Sequence, residues 1–115
     1  MWRDDAWLLD MLQSARKALD YASGLSENQF MTDSLRQDAI LRQLTILGEA
    51  SKKISNELRA IHPEMPWRKI AGFRDVVVHD YFGVDLKEVW RIIRDDLRAL
   101  VKLLEPLVPP EESKT

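Results

Sequence analysis

The sequence predicts an all-α fold, an antiparallel four-helix bundle with one short extra helical turn. Three observations lead there. Residues 1–62 contain no proline, which permits long helices. Apolar residues recur at spacings of three and four through long stretches, the pattern of a helix with one buried stripe. The one β-branched run, Val76-Val77-Val78, has no partner strand elsewhere in the chain, so it reads as helix as well.

The first helix is expected from about Asp4 to Ala22, with Trp7, Leu8, Met11, Leu12, Ala15, Leu19 and Ala22 on its stripe and Gly24 as its stop. Ser26 and Gln29 have the spacing of a capping box and should open a short turn through Phe30. Ser34 and Gln37 repeat that spacing. The second long helix is expected from about Leu35 to Arg59, burying Ile40, Leu44, Leu47, Ser51, Ile54 and Leu58. Gly48 lies inside it at a cost of roughly 1 kcal/mol relative to alanine, and a glycine there points to close approach by another backbone or a ligand. His62-Pro63-Glu64-Met65-Pro66 reads as a connection, and Pro66 suits the first position of a third helix running through Trp67 to about Val78. Gly83 breaks the chain again. Asp85 and Glu88 cap a last helix whose apolar residues are Leu86, Val89, Trp90, Ile93, Leu97, Leu100, Val101 and Leu104. Pro106, Pro109 and Pro110 end it.

Short connections make neighbouring helices antiparallel. Residues 1–108 read as one helical domain, and 109–115 as a disordered tail. Trp2, Leu41 and Ile46 fall off the inward stripes. A small bundle has little room for them, which points to a homo-oligomeric interface.

Composition excludes several classes. The chain has 115 residues, 45% of them apolar and 31% charged, and no cysteine. One core is expected at this length. Disulfides and cysteine-bound zinc are impossible. No apolar run approaches the roughly 20 residues that span a bilayer, and no secretory signal is visible, so a soluble cytoplasmic protein is expected. Two histidines without thiols leave little for a self-contained metal site.

The net charge of −2 shows no basic excess of the kind nucleic-acid binders carry. Its distribution is uneven. Between Ala50 and Arg74, Lys52, Lys53, Arg59, Arg68, Lys69 and Arg74 face only Glu57 and Glu64, a local +4 that leaves −6 elsewhere. This is either ordinary scatter on a solvated face or a landing site for phosphate. Lys52, Lys53, Arg68 and Lys69 are the candidate contacts.

One segment stands apart, Gly72-Phe73-Arg74-Asp75-Val76-Val77-Val78-His79-Asp80-Tyr81-Phe82. It gathers a cation, an imidazole and a phenol at a helix end. His62, the other histidine, has no obvious partner in its connection. Such a set suits phosphodiester cleavage in RNA, in which the 2′-hydroxyl attacks the adjacent phosphorus. Histidine can act as base or acid near neutral pH. Arginine's planar fork meets phosphate oxygens in pairs and stabilises the charge of the transition state. The 2′-hydroxyl is a built-in nucleophile, so no metal or cofactor is required, and DNA should not be cut. Arg74 and His79 are five residues apart, which on a continuous helix is roughly 140° around the axis. Either the helix ends before His79 or a second subunit completes the pocket. Taken singly, Arg74 reads more simply as a surface ion pair or a partner of the helix dipole, His79 as a C-terminal cap, and Tyr81 and Phe82 as core aromatics. The combined Arg-x4-His-x-Tyr pattern is more specific than its parts.

That pattern resembles the signature of the HEPN superfamily, and with its tyrosine that of the HepT-like toxins of bacterial toxin–antitoxin pairs. The resemblance extends through Ile46-Leu47-Gly48-Glu49-Ala50, through His62-Pro63-Glu64-Met65-Pro66-Trp67-Arg68-Lys69-Ile70-Ala71-Gly72, and through Phe82-Gly83-Val84-Asp85 followed by Val89-Trp90. It covers roughly Ile40 to Leu104. It implies a four-helix HEPN bundle, a homodimer with the motif at the dimer cleft, and a metal-independent endoribonuclease with Arg74 and His79 as the catalytic pair. It further implies an MNT-type nucleotidyltransferase antitoxin as partner, which neutralises the toxin by transferring AMP to Tyr81 and forms a higher hetero-oligomer with it. Asp75 stands where the family usually has a polar residue, often asparagine. Asp75 and Glu49 are carried over as supporting groups. The alternatives are a non-catalytic HEPN module that binds a nucleotide or a nucleotidyltransferase, and a degenerate dimerising bundle.

Overall fold

The computed structural model describes residues 2–78 and 83–109, and within these the chain is helical with no strand. The expectation of a tail over 109–115 falls almost wholly outside the described residues. No helix among the described residues is long and apolar enough to cross a membrane.

Helix α1 spans Trp2–Ala22. Of its expected stripe, Leu8, Met11, Leu12, Ala15 and Ala22 are buried, while Trp7 and Leu19 are half-buried, and Ala18 joins the buried face. Gly24 follows in a left-handed conformation (φ 81°), which lets the chain turn without a Cβ penalty. Helix α2 covers Glu27–Thr32, and the capping box forms: the Gln29 amide donates to Ser26 Oγ at 3.1 Å and the Ser26 amide to Gln29 Oε1 at 2.8 Å. Phe30, fully buried, anchors this short element on the core and meets Trp90 at 5.3 Å between ring centroids.

Helix α3 spans Ser34–Lys52 and departs from expectation at both ends. Its N-cap is Asp33, not Ser34: the Asp33 carboxylate accepts from the Arg36 amide at 3.0 Å. Gln37 instead donates from its side chain to the Phe30 carbonyl at 2.8 Å. At the other end the helix stops at Lys52 and does not continue to Arg59. A separate turn of helix, α4, covers Asn56–Ile61.

The break has a specific cause. Ser55 Oγ accepts from the Leu58 amide at 3.2 Å, capping α4, while Ser55 donates from its amide and hydroxyl to the two oxygens of Asp4 at 2.8 and 2.6 Å. A serine side chain that bonds neighbouring backbone competes with helix continuation. Asp4 is buried in this contact. Burial pushes its carboxyl up, but the Ser55 hydroxyl and amide outweigh this and hold it below its ordinary value. A lowered folded-state value means the contribution to stability is complete above the unfolded value of 3.8 and fades as pH falls through the folded one. Asp4→Ala is therefore expected to cost about 1–3 kcal/mol at neutral pH. In urea titrations the gap to wild type should narrow in strong acid.

Helix α5 spans Trp67–Val78, so the β-branched run is helical. Pro66 sits just before it, and its carbonyl accepts the first helical bond from the Ile70 amide at 3.0 Å. Arg59 braces the turn. Its guanidinium donates to the carbonyls of Ser51 and Ile54 at the end of α3 and lies 5.7 Å over the Trp67 ring. The start of α5 is thus pinned beside the end of α3, and α5 runs back antiparallel along it. Arg36 ties the start of α3 to the end of α1 in the same way, donating to the Tyr21 carbonyl at 2.7 Å.

The last long helix begins with α6, Leu86–Arg91, capped by the Asp85 carboxylate on the Glu88 amide at 3.2 Å. It continues to α7, Leu97–Leu104, through a π-helical turn over Ile92–Asp96 that regular spacing did not anticipate. The wider turn holds one extra residue. Ile92 and Ile93 both turn inward ahead of Leu97, whereas the regular stripe named only Ile93. It also places Asp96 within 3.0 Å of Lys69 on α5 and 3.3 Å of Arg91.

The four long helices close on one core that includes Met11, Ile40, Leu44, Leu47, Ile70, Phe73, Val89 and Leu97. Leu41 and Leu58 pack partly against it. Leu41 and Ile46 are thus half-buried within one chain, which weakens their use as evidence for an interface. Among the described residues, the large exposed apolar side chains are instead Leu35 and Ile61.

Candidate active site

The site is centred on a close approach of α3 and α5. A Cβ placed on Gly48 would lie 2.7 Å from Arg74 Cβ and 3.1 Å from the Arg74 amide nitrogen. Only glycine lets α5 press this near, so the close approach anticipated at Gly48 is the backbone of Arg74 itself. The next residue on α3, Glu49, supplies the counter-charge: its Oε1 is ion-paired with Arg74 Nε. The pair lies at the surface, with the Arg74 side chain 33% and that of Glu49 46% exposed. Asp75 Oδ1 is 3.9 Å from Arg74 Nη1, too far for a hydrogen bond but near enough to add negative potential.

Arg74, Glu49 and Asp75 are therefore brought together. His79 and Tyr81, like Asp80 and Phe82, lie outside the described residues. They follow directly on α5, which carries Arg74 four residues before its last residue, Val78.

The basic stretch divides by role. Arg59 is a structural brace, Lys69 is paired with Asp96, and Arg74 with Glu49. Lys52, Lys53 and Arg68 are exposed. Lys52 and Lys53 end α3 one turn beyond Gly48 and Glu49, whereas Arg68 stands in the first turn of α5. Of the four lysine and arginine candidates for phosphate contact, Lys69 is thus the one whose charge is already matched inside the fold. His62 does have a partner, Glu64, with Nδ1 2.9 Å from Oε2. The Glu64 carboxyl is held below its ordinary range first by its own amide and then by His62.

Sequence reasoning missed Asp4 and Asp96. Asp4 carried a signal, since it falls one turn before Leu8 on the buried stripe, where a carboxylate needs a partner. Asp96 carried none, because its place depends on the π turn. Among the described residues no three or more histidine, aspartate and glutamate side chains gather in a way that could hold a metal ion.

A four-helix bundle whose third long helix carries Arg74, the first residue of the Arg-x4-His-x-Tyr sequence, packed through a glycine against the second, defines a class: HEPN-type ribonucleases. A family model described as ribonuclease HepT-like matches residues 11–107. The chain is 36% identical to a "Probable ribonuclease HepT" of Thermococcus cleftensis, covering 88% of this chain and 92% of that one. It is 34% identical to a "Putative RNase" of Methanocaldococcus jannaschii, covering 87% and 92% respectively. A further "Putative RNase", of Caldanaerobacter subterraneus subsp. tengcongensis, is 33% identical, covering 92% and 95%. No solved structure matches the chain. The chain belongs to the HepT-like ribonuclease family.

Proposed function

We propose that this protein is the toxin of a toxin–antitoxin pair and cleaves RNA without a metal, using Arg74 and His79. The observation that carries the reading is the setting of Arg74: a half-exposed guanidinium, five residues before His79, held at a close helix contact in a chain of a ribonuclease family. In the proposed step a base removes the 2′-hydroxyl proton and the oxygen attacks phosphorus. The P–O5′ bond breaks as an acid protonates the leaving oxygen, giving a 2′,3′-cyclic phosphate and a 5′-hydroxyl. Arg74 stabilises the charge that develops on the phosphorus oxygens. His79 supplies the proton transfers, and in a homodimer two copies would serve as acid and base. Lys52, Lys53 and Arg68 are proposed to hold flanking phosphates, and Lys69 once released from Asp96. Asp75 is proposed to orient Arg74 or His79.

The proposed regulator is an MNT-type nucleotidyltransferase. The Tyr81 oxygen attacks the α-phosphorus of ATP, pyrophosphate leaves, and AMP remains on the phenol. Bulk and negative charge next to His79 then exclude RNA phosphate. The toxin and its antitoxin are proposed to assemble as a hetero-oligomer.

Purified protein in excess EDTA is expected to cut an RNA oligonucleotide and to leave cyclic-phosphate ends. A single 2′-deoxy substitution at the cut site should block cleavage there. Cutting that survives the deoxy substitution, or that is abolished by EDTA, would overturn the mechanism. Intact-mass measurement after co-expression with an MNT-type nucleotidyltransferase is expected to show one added AMP on the peptide containing Tyr81. An unmodified peptide would remove the regulatory proposal.

A further inference from the structure

We infer that Glu49 is a positioning residue for Arg74, and that Gly48-Glu49 on α3 forms a mould that decides which edge of the guanidinium meets phosphate. The kinetic part of this inference rests on the ribonuclease reading above.

Two contacts define the mould. Gly48 leaves no room for a side chain between α3 and the Cβ of Arg74, so the root of the arginine is pressed on the helix backbone. Glu49 then takes Nε. That nitrogen is buried and makes no in-line hydrogen bond; its neighbour is the Glu49 carboxylate, in an ion pair. With the stem held at Cβ and the head held at Nε, rotation of the guanidinium is restricted. The edge formed by Nη1 and Nη2, with Asp75 Oδ1 3.9 Å from Nη1, can then present two parallel N–H groups, the arrangement that grips phosphate in a fork.

Stability does not account for the arrangement. The close approach at Gly48 serves packing, but an ion pair as exposed as Arg74 with Glu49 adds little to stability. Nor would affinity for RNA explain it, since a carboxylate beside the arginine repels the phosphate that Arg74 is meant to bind. What the contact does supply is orientation. Orientation acts on the chemical step, where small misplacements are costly, more than on ground-state binding.

This separates Glu49→Gln from Glu49→Ala. Glutamine keeps an acceptor oxygen at the same reach, whereas alanine removes the hold on Nε. Steady-state cleavage of a short RNA should show kcat for Glu49→Ala reduced by roughly 10- to 100-fold, with KM unchanged or lower because a repelling charge is gone. Glu49→Gln should retain most of the wild-type kcat. The second readout does not depend on cleavage. The Arg74 Nε–H signal in a nitrogen-15 spectrum, assigned by its disappearance in Arg74→Lys, should be protected from water exchange in wild type and in Glu49→Gln, and broadened in Glu49→Ala.

The inference is overturned if Glu49→Ala keeps kcat within about twofold of wild type, if Glu49→Gln is as defective as Glu49→Ala, or if KM alone rises. If wild type cuts no RNA, the ribonuclease reading fails. The spectrum then decides the inference alone, and an equally protected Nε–H in Glu49→Ala refutes it.

Discussion

His79→Ala is expected to abolish RNA cleavage and growth inhibition while leaving the bundle folded. Imidazole is the side chain whose ordinary value lies nearest neutral pH, and His79 is the histidine closest to Arg74 in sequence. Removing a positioned acid–base group typically lowers rate by about 10²–10⁴-fold. His79 follows Val78, the last residue of α5, in sequence, and circular dichroism and thermal midpoint are expected to stay near wild type. Arg74→Lys is the matching test on the other half of the pair. Lysine keeps the charge but loses the planar fork and the Nε that Glu49 holds, so a large loss of kcat is expected here as well. Full toxicity in His79→Ala would sink the catalytic assignment. It would move the protein to the second reading, a HEPN module that binds a nucleotide or a nucleotidyltransferase without cutting RNA.

Gly48→Ala should couple the fold and the site most strongly. In an isolated helix this change would stabilise by about 1 kcal/mol. Here the new methyl meets Arg74 Cβ at 2.7 Å and the Arg74 amide nitrogen at 3.1 Å. Neither is the far end of a flexible side chain, so α3 and α5 must separate. Overpacking of this kind costs about 1–3 kcal/mol, which exceeds or cancels the propensity gain. A lower thermal midpoint is expected, by about 4–8 °C for each kcal/mol of net loss in a domain near 100 residues. Cleavage should fall further than stability does, because the displaced residue is Arg74. A variant with a raised midpoint and full activity would show that the two helices can part freely, and the tight approach would then have no role.

Much of the fold was legible because its determinants are local. The α1 stripe, the Ser26 capping box, the Asp85 cap and the helical state of the Val76–Val78 run all follow from spacing and neighbouring side chains. The errors share a cause. Periodicity carries the second long helix to Arg59, yet it ends at Lys52, because Ser55 is held by Asp4, a residue 51 positions earlier. The π turn at Ile92–Asp96 lies where the last long helix packs along α1 and where Asp96 meets Lys69 of α5. Distant partners leave no periodic trace. The same division runs through the site. The Arg-x4-His-x-Tyr pattern was readable and named the chemistry, but the matching of Lys69 by Asp96 was not, since it needs the π turn and the packing of α5 to bring the two within 3.0 Å.

By itself, the sequence determined the helical class, the four long elements, the absence of thiol chemistry and the residues of the candidate reaction. These depend on residue type and on separations of a few positions along the chain. Tertiary structure decided which cations are committed to the fold, that Gly48 exists to admit Arg74, and that Glu49 holds its Nε. Those facts depend on two helices meeting at a particular height, and that height is set by burial of the whole core at once.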